Sequence, residues 1–361
     1  MLFHLLFPLR DVFPALNVFR YITFRTAGAI ITALVLSLLL GPWFIRQLRR
    51  LSIGQSIREE GPESHQSKAG TPTMGGLLIL TAVLVPTLLW AKLTNLYVWI
   101  ALFATLGFGV VGFADDWLKV RRRHNEGLTP RGKLLLQTLV ASIVGVAVLN
   151  LPNPYTFDGT LAFPFLKNAV VNLGLLYIPV VAFLLVGSSN AVNLTDGLDG
   201  LAIGATLIAV ATYVIFVYIA GNSVLAGYLQ VPYVAGVGEV AVFCGALVGA
   251  SLGFLWFNAH PAQVFMGDVG SLALGGAIGT VAVLSKQELV LALVGGLFVL
   301  ELVSVVLQVA SFKLRGRRIF KMAPLHHHFE LSGWAEPQII VRFWIVALLF
   351  SLVSLSTLKL R

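Results

Sequence analysis

From Ile22 onward the chain is divided into apolar runs, each about 20 residues long and almost free of charge. In hydrocarbon such a run can satisfy its backbone N–H and C=O groups only as a helix or as part of a closed barrel. Barrel strands alternate apolar and polar residues over about ten positions, and these runs are continuous. Only 11% of the residues are charged and 57% are hydrophobic, whereas a soluble domain carries about 25% charged residues. The chain therefore lacks the polar surface of a water-soluble fold. The expected fold is an all-α polytopic integral membrane protein, a single domain over residues 1–361. Its roughly ten transmembrane helices fall near 22–45, 73–91, 96–114, 133–151, 170–187, 198–220, 238–257, 266–284, 288–311 and 339–357.

Lys and Arg set the sidedness, because cytoplasmic loops carry an excess of them. If residues 46–72 are cytoplasmic, so are 115–132, 188–197, 258–265 and 312–338, and most of the 25 Lys and Arg then lie on that side. Both termini face outward. The net charge of +9 is concentrated in these short loops, which argues against a nucleic-acid partner and for topology and headgroup contact with membrane lipids. The single cysteine, Cys244, excludes an intrachain disulfide and a cysteine zinc site. The start MLFHLLFPL has no basic region before its apolar residues, so no cleavable signal peptide is expected.

The unusual polar residues gather on the expected cytoplasmic side. In GFADDWLKVRRR, Asp115 and Asp116 are adjacent carboxylates at the end of a span. They repel each other unless a cation or proton lies between them, and such hard oxygen ligands suit Mg²⁺ together with substrate phosphates. In SSNAVNLTDGLDGLA, residues Asn190, Asn193, Asp196 and Asp199 recur every three positions between two spans. A helical segment would place them along one face. In FNAHPAQVFMGDVGS, Asn258 and His260 precede Pro261, Phe265 could stack on a ring or anchor the interface, and Asp268 opens the next span. A carboxylate at a helix start is also an ordinary cap. SKAGTPTMGG places Lys68, Thr71 and Thr73 before a glycine pair and suits either a phosphate or a plain helix start. Finally, KMAPLHHHFELSGW holds His326, His327 and His328 in succession. Consecutive helical residues point about 100° apart, so three in a row converge poorly on one metal, and none forms the i, i+4 pair of a helical zinc site. Contact with anionic or polar groups of a substrate is the better reading.

Taken together, GTPTMGG, GFADDWLK, NAVNLTDGLDGLA, WFNAHPAQVFMGDVGSLALGG and MAPLHHHFE, in this order and spacing, resemble the bacterial phospho-N-acetylmuramoyl-pentapeptide transferases. These belong to the polyprenyl-phosphate N-acetylhexosamine-1-phosphate transferases. The resemblance covers nearly the whole chain and is least specific before about residue 50. APLHHHFE favours the muramoyl-pentapeptide branch over relatives that transfer N-acetylglucosamine phosphate. The resemblance implies a ten-helix fold, often dimeric, in the bacterial cytoplasmic membrane, with the active-site cleft on the cytoplasmic face and both termini periplasmic. UDP-N-acetylmuramoyl-pentapeptide would react with undecaprenyl phosphate, with Mg²⁺ as cofactor, to give lipid I and UMP. By matching motif, Asp115, Asp116 and Asp268 correspond to the family's essential acidic residues, with Asp268 the Mg²⁺ ligand. Asn193, Asp196, Asp199, Asn258 and Phe265 fall in its uridine and diphosphate segments, and Asn190 is taken as a further substrate-binding residue. Lys68, Lys133 and the three histidines match its contacts to the nucleotide–sugar and phosphates.

Two mechanisms fit these residues: direct attack by the lipid phosphate, and a covalent phospho-aspartate. A phosphate monoester has a second pKa of about 6, so the acceptor needs charge neutralisation more than a base, which favours direct attack. Glu301 lies midway along a span, with Gln308 seven residues later. A carboxylate at that depth is costly unless paired or functional, so this helix is expected to be broken or to line the cleft, the alternative being a polar contact between helices. A transporter would need polar groups through the whole bilayer, where only Glu301 and Gln308 stand out. A non-catalytic scaffold would not need five aspartates on one side.

Overall fold

The computed structural model describes residues 1–51, 70–122, 126–152, 157–166 and 169–359. Among the described residues ten apolar helices carry the fold: α1 (Ile22–Arg50), α2 (Gly76–Trp90), α3 (Leu96–Arg122), α4 (Pro130–Leu149), α5 (Tyr177–Thr195), α6 (Leu201–Ala220), α7 (Val240–Asn258), α8 (Gly267–Leu284), α9 (Gly296–Arg315) and α10 (Glu336–Ser356). Nine are long and apolar enough to cross a membrane, and α2, at 15 residues, is the short one. The chain is thus an all-α polytopic membrane protein.

α7 and α8 are the enclosed centre, while most of α9 faces outward. α7 packs against α1, α2 and α6; α8 packs against α3 and α5; α10 closes on α6, and α9 leans on α5. Small residues permit these approaches: Gly245, Gly249 and Gly253 of α7 lie directly on the α1 backbone or side chains at Thr26, Ile30 and Ser37, the close contact that membrane helices use in place of a hydrophobic drive.

Several ends differ from those expected. The run 170–187 begins as a strand, Val170–Asn172, antiparallel to Thr160–Ala162, and its helix then continues to Thr195. Polar residues extend that helix because α8 satisfies them: Ser188 Oγ donates to Gly275 O (2.7 Å) and Ser189 Oγ to Leu272 O (3.1 Å). The run 288–311 is interrupted at Gly295, between the short helix Leu291–Val294 and α9. α3 continues two turns past 114, so Asp115 and Asp116 lie within a helix and not at its end.

Two polar anchors lie at the end of the bundle away from the aspartates. Arg25 and Glu239 form a buried two-pronged ion pair, and Lys92 N also donates to Glu239 Oε1 (2.6 Å). Lys286, also buried, donates to Asp158 O and Thr160 O at the hairpin and lies over the Phe157 and Tyr177 rings.

Candidate active site

The site is assembled where α3 and α8 touch. Gly112 makes this contact possible, because a Cβ there would stand 2.1 Å from the Asp268 carbonyl oxygen. Gly267 turns the chain into α8 with φ +71 and lies so close to the Asp116 carboxylate that a Cβ would be 2.6 Å from its Oδ2. Both conditions call for glycine. Asp116 Oδ2 then accepts the Val269 N–H (3.1 Å) and Asp115 Oδ1 the Leu128 N–H (2.8 Å). Carboxylate oxygens of Asp115, Asp116 and Asp268 all come within 4.8 Å of one another.

Two lysines hold these three carboxylates together. Lys119, one turn beyond Asp115 on α3, has Nζ 2.5 Å from Asp115 Oδ2, 2.9 Å from Asp268 Oδ2 and 3.7 Å from Asp116 Oδ1. Lys133, in the first turn of α4, has Nζ 2.7 Å from Asp268 Oδ2 and 3.8 Å from Asp115 Oδ2. Counted formally, three carboxylates and two ammonium groups leave the cluster one charge short of neutral. Three convergent hard oxygens with that residual charge fit a divalent cation such as Mg²⁺, and the two ammonium groups also fit phosphate oxygens.

α5 brings the amides. Asn193 Nδ2 donates to Asp268 Oδ1 and to Ser271 Oγ, both at 2.8 Å. Asn190, one turn earlier, donates instead to Gln137 Oε1 and Val186 O, both at 2.8 Å. The expected row of four is therefore divided: Asn190 and Asn193 are on the helix, whereas Asp196 and Asp199 belong to the turn after it. Asp196 is half-buried. Burial, reinforced by the like charges of Asp268, Asp116 and Asp199, pushes its carboxyl up to about 8.

Asp199 begins a second cluster. Its Oδ2 accepts Ala262 N–H (3.0 Å) and lies 3.3 Å from His260 Nδ1, which is also 3.5 Å from Glu336 Oε2. Asn258 Oδ1 accepts Gly200 N–H (3.1 Å) while its Nδ2 donates to Val264 O (2.9 Å), so Asn258 ties the 196–200 turn to the segment before α8. Phe265 is half-buried, and its backbone pairs with the GTPTMGG stretch: Phe265 N donates to Pro72 O (2.8 Å), and Phe265 O accepts from Gly75 N (2.9 Å). Thr73 and Gly267 are neighbours through this pairing. Lys68 lies outside the described residues.

The histidines occupy a short helix, Leu325–Glu330, and have separate partners. His326 is fully buried beside Glu301 (Nδ1–Oε1 3.2 Å) and against Gly197. His327 Nδ1 is 2.7 Å from Glu330 Oε2, and His328 Nδ1 accepts Lys321 N–H (3.1 Å). They do not converge on one point, and among the described residues no metal-type cluster includes them. Glu301 does not face lipid. α9 is continuous through it, and it makes the polar contact between elements that was the alternative expectation; Gln308 likewise secures Ile319 and Phe320.

Reasoning from the sequence missed Lys119, Gln137, Ser271 and Glu336. The i, i+4 spacing of Asp115 and Lys119 is a signal for the first. Glu336, 137 residues from Asp199 yet accepting its N–H at 3.0 Å, has no local signal. A lateral groove of about 510 Å³ also opens between α4, α5 and α9, lined by Leu134, Thr138, Ile178, Phe183 and Leu302 with Asn190 among them.

Against this geometry, a family model described as glycosyl transferase family 4 matches residues 98–286. A second, phospho-N-acetylmuramoyl-pentapeptide-transferase signature 1, matches residues 68–80. Proteins named phospho-N-acetylmuramoyl-pentapeptide-transferase from Citrifermentans bemidjiense and Geobacter sp. are each 58% identical over 361 residues, all of both chains. One from Syntrophus aciditrophicus is 58% identical over 362 aligned positions, again end to end.

Proposed function

The chain belongs to the phospho-N-acetylmuramoyl-pentapeptide-transferase family, and on that premise we propose that it joins phospho-N-acetylmuramoyl-pentapeptide, from its UDP derivative, to undecaprenyl phosphate. The products are lipid I and UMP. The observation that carries this reading is the adjacency of a phosphate-handling cluster to a lipid-facing groove. Asn190 lines the groove, and one turn further on α5 Asn193 donates to Asp268. Lys133, which touches Asp268, is followed directly by groove-lining Leu134. An acceptor whose tail lies in the groove would have its phosphate near both ammonium groups.

In the proposed step, an oxygen of the lipid phosphate attacks the sugar-linked phosphorus of the UDP derivative. A new P–O bond forms, the bond from that phosphorus to the bridging oxygen breaks, and UMP departs with that oxygen and the electron pair. Lys119 and Lys133 would neutralise the phosphoryl oxygens as charge shifts toward the leaving group. Asp115 and Asp268 orient those lysines, and Asn193 orients Asp268. Lys119 is paired with Asp115 and Lys133 with Asp268, so these two carboxylates are engaged as counter-ions, which favours direct attack over a covalent step on either of them. Asp268, with Asp115 and Asp116, would hold Mg²⁺, which when bound supplies further positive charge to the diphosphate. Asp196, Asp199, Asn258, Phe265 and Lys68 are assigned to the nucleotide–sugar side. The setting is the bacterial cytoplasmic membrane, with the aspartates on the cytoplasmic face, both termini periplasmic and the chain a homodimer.

The test is UMP release by the purified protein with undecaprenyl phosphate, in Mg²⁺ and in EDTA, using UDP-N-acetylmuramoyl-pentapeptide and, in parallel, UDP-N-acetylglucosamine. Mg²⁺-dependent release from the first substrate alone is expected. Release from the second would move the chain to the sister branch. A phospho-enzyme trapped without acceptor would replace direct attack by the covalent route.

A further inference from the structure

Glu301 is fully buried in the second turn of α9, a helix that otherwise presents mainly aliphatic residues. Both of its oxygens are aimed at the histidine helix. Oε2 accepts the Leu325 N–H at 2.7 Å, and Oε1 stands 3.2 Å from His326 Nδ1. This is a close polar contact without hydrogen-bond geometry, so it leaves Oε1 and Nδ1 unsatisfied while seating the ring beside the carboxylate. The other nitrogen, Nε2, then points at Gly197 so closely that a Cβ on Gly197 would come within 2.2 Å of it. Among the described residues Nε2 has no hydrogen-bond partner, although the whole side chain is buried. A buried imidazole without partners is costly, and packing alone would be met more cheaply by an apolar residue.

Gly197 separates Asp196 from Leu198 and Asp199 in the turn between α5 and α6. That turn is held on its far side by Asn258 and Glu336, which accept the Gly200 and Asp199 N–H groups. His326 is the wall on its near side. We propose that Glu301 is a positioning residue for the nucleotide–sugar site: from within the membrane it clamps His326 against Gly197 and so fixes the turn that presents Asp196 and Asp199. This inference rests on the assignment of those two aspartates to the nucleotide–sugar. It makes α9, which also borders the lipid groove through Leu302, a mechanical link between the two substrate regions.

The experiment compares wild type with Glu301→Gln, Glu301→Ala and Gly197→Ala in detergent, by steady-state kinetics and by hydrogen exchange of the 196–200 backbone read by mass spectrometry. Glu301→Gln keeps the volume and an acceptor for Leu325 N–H. It is expected to raise KM for the nucleotide–sugar about tenfold, leave KM for the lipid acceptor unchanged, and speed exchange in the 196–200 turn but not in α8. Gly197→Ala should give the same pattern from the other side of the contact. In a His326→Asn background, Glu301→Gln should add nothing, because Glu301 acts through His326. Glu301→Ala also removes side-chain volume, and where it fails to fold the other variants carry the test. Unchanged KM and unchanged exchange in Glu301→Gln would overturn the inference, as would an additive double variant. Absence of UMP release by wild type would sink the assigned reaction instead, and exchange in the turn would still decide the role of Glu301.

Discussion

Lys133 Nζ stands 2.7 Å from Asp268 Oδ2, joining the first turn of α4 to the first turn of α8 across 135 residues of sequence. The same ammonium group is 3.8 Å from Asp115 on α3. One side chain thus ties together three helices at the point where phosphate chemistry is proposed. Lys133→Ala is expected to lower kcat by about 100-fold or more, the usual loss when one preorganised charge-stabilising group is removed, and to lower the melting temperature, since Asp268 and Asp115 lose a counter-charge. Steady-state UMP release and a melting curve in detergent check both halves.

Asp268 receives Lys119, Lys133 and Asn193 at once. Asp268→Asn keeps the shape but removes the charge that both lysines and the expected Mg²⁺ need. Activity should fall by about 1,000-fold, and any residue of it should require more Mg²⁺ for half-saturation. An Mg²⁺ titration of the variant reads this directly; an unchanged midpoint would remove Asp268 from the metal site.

Gly112 owes its role to the absence of a side chain. Gly112→Ala places a Cβ 2.1 Å from the Asp268 carbonyl oxygen, so α8 must shift away from α3. Loss of activity is expected from a protein that still inserts and purifies, since the change displaces one helix start and leaves the spans apolar. Full activity in this variant would show that the cluster tolerates a shifted Asp268.

Asp196 supplies a pH prediction. Its carboxyl is raised to about 8 in the folded protein against an ordinary value of 3.8, so between these values the folded state binds more protons than the unfolded one. Stability attributable to this group is therefore present at low pH and is lost as pH rises toward about 8. In EDTA, the melting temperature of Asp196→Asn should gain on wild type from pH 5 to pH 8 and level off above it. A difference that is flat with pH would mean that Asp196 ionises normally.

At the opposite end, the buried Arg25–Glu239 pair makes a stability prediction without a kinetic one. Removing one partner leaves an uncompensated buried charge, at a cost of about 3–5 kcal/mol. Glu239→Ala should lower the melting temperature well below that of wild type while KM for both substrates stays the same in the fraction that remains folded.

The ten apolar runs are legible in the sequence because hydrocarbon leaves the backbone no other choice. Their ends are less so. Ser188 to Asn193 looks like loop on hydropathy, yet is helical because α8 supplies carbonyl partners that a linear reading cannot see. Asp115, Asp116 and Asp268 stand out as carboxylates in a greasy chain, and they do meet. Lys119 is hidden among neighbouring arginines, and Glu336 is brought to Asp199 only by the packing of α10 on α6. The three histidines stand out as a group, but their separate partners, Glu301, Glu330 and the Lys321 backbone, depend on how the short helix is seated.

At 1.5 Å per residue, the 15 residues of α2 rise about 22 Å, against a hydrocarbon layer about 30 Å thick. Before α2, Pro72–Gly75 run as non-helical backbone hydrogen-bonded to Phe265, and Gly76, the first residue of α2, donates to Met266 O; backbone paired in this way is tolerated at membrane depth. On the proposed topology, the floor beside Asp116 and Gly267 would lie recessed beneath the plane of the headgroups. Lifting a polyprenyl tail toward water costs about 0.8 kcal/mol for every CH₂ exposed. A recessed floor would spare the proposed lipid acceptor that climb: the polar partner would descend to the level of the lipid, and the product would stay in its leaflet.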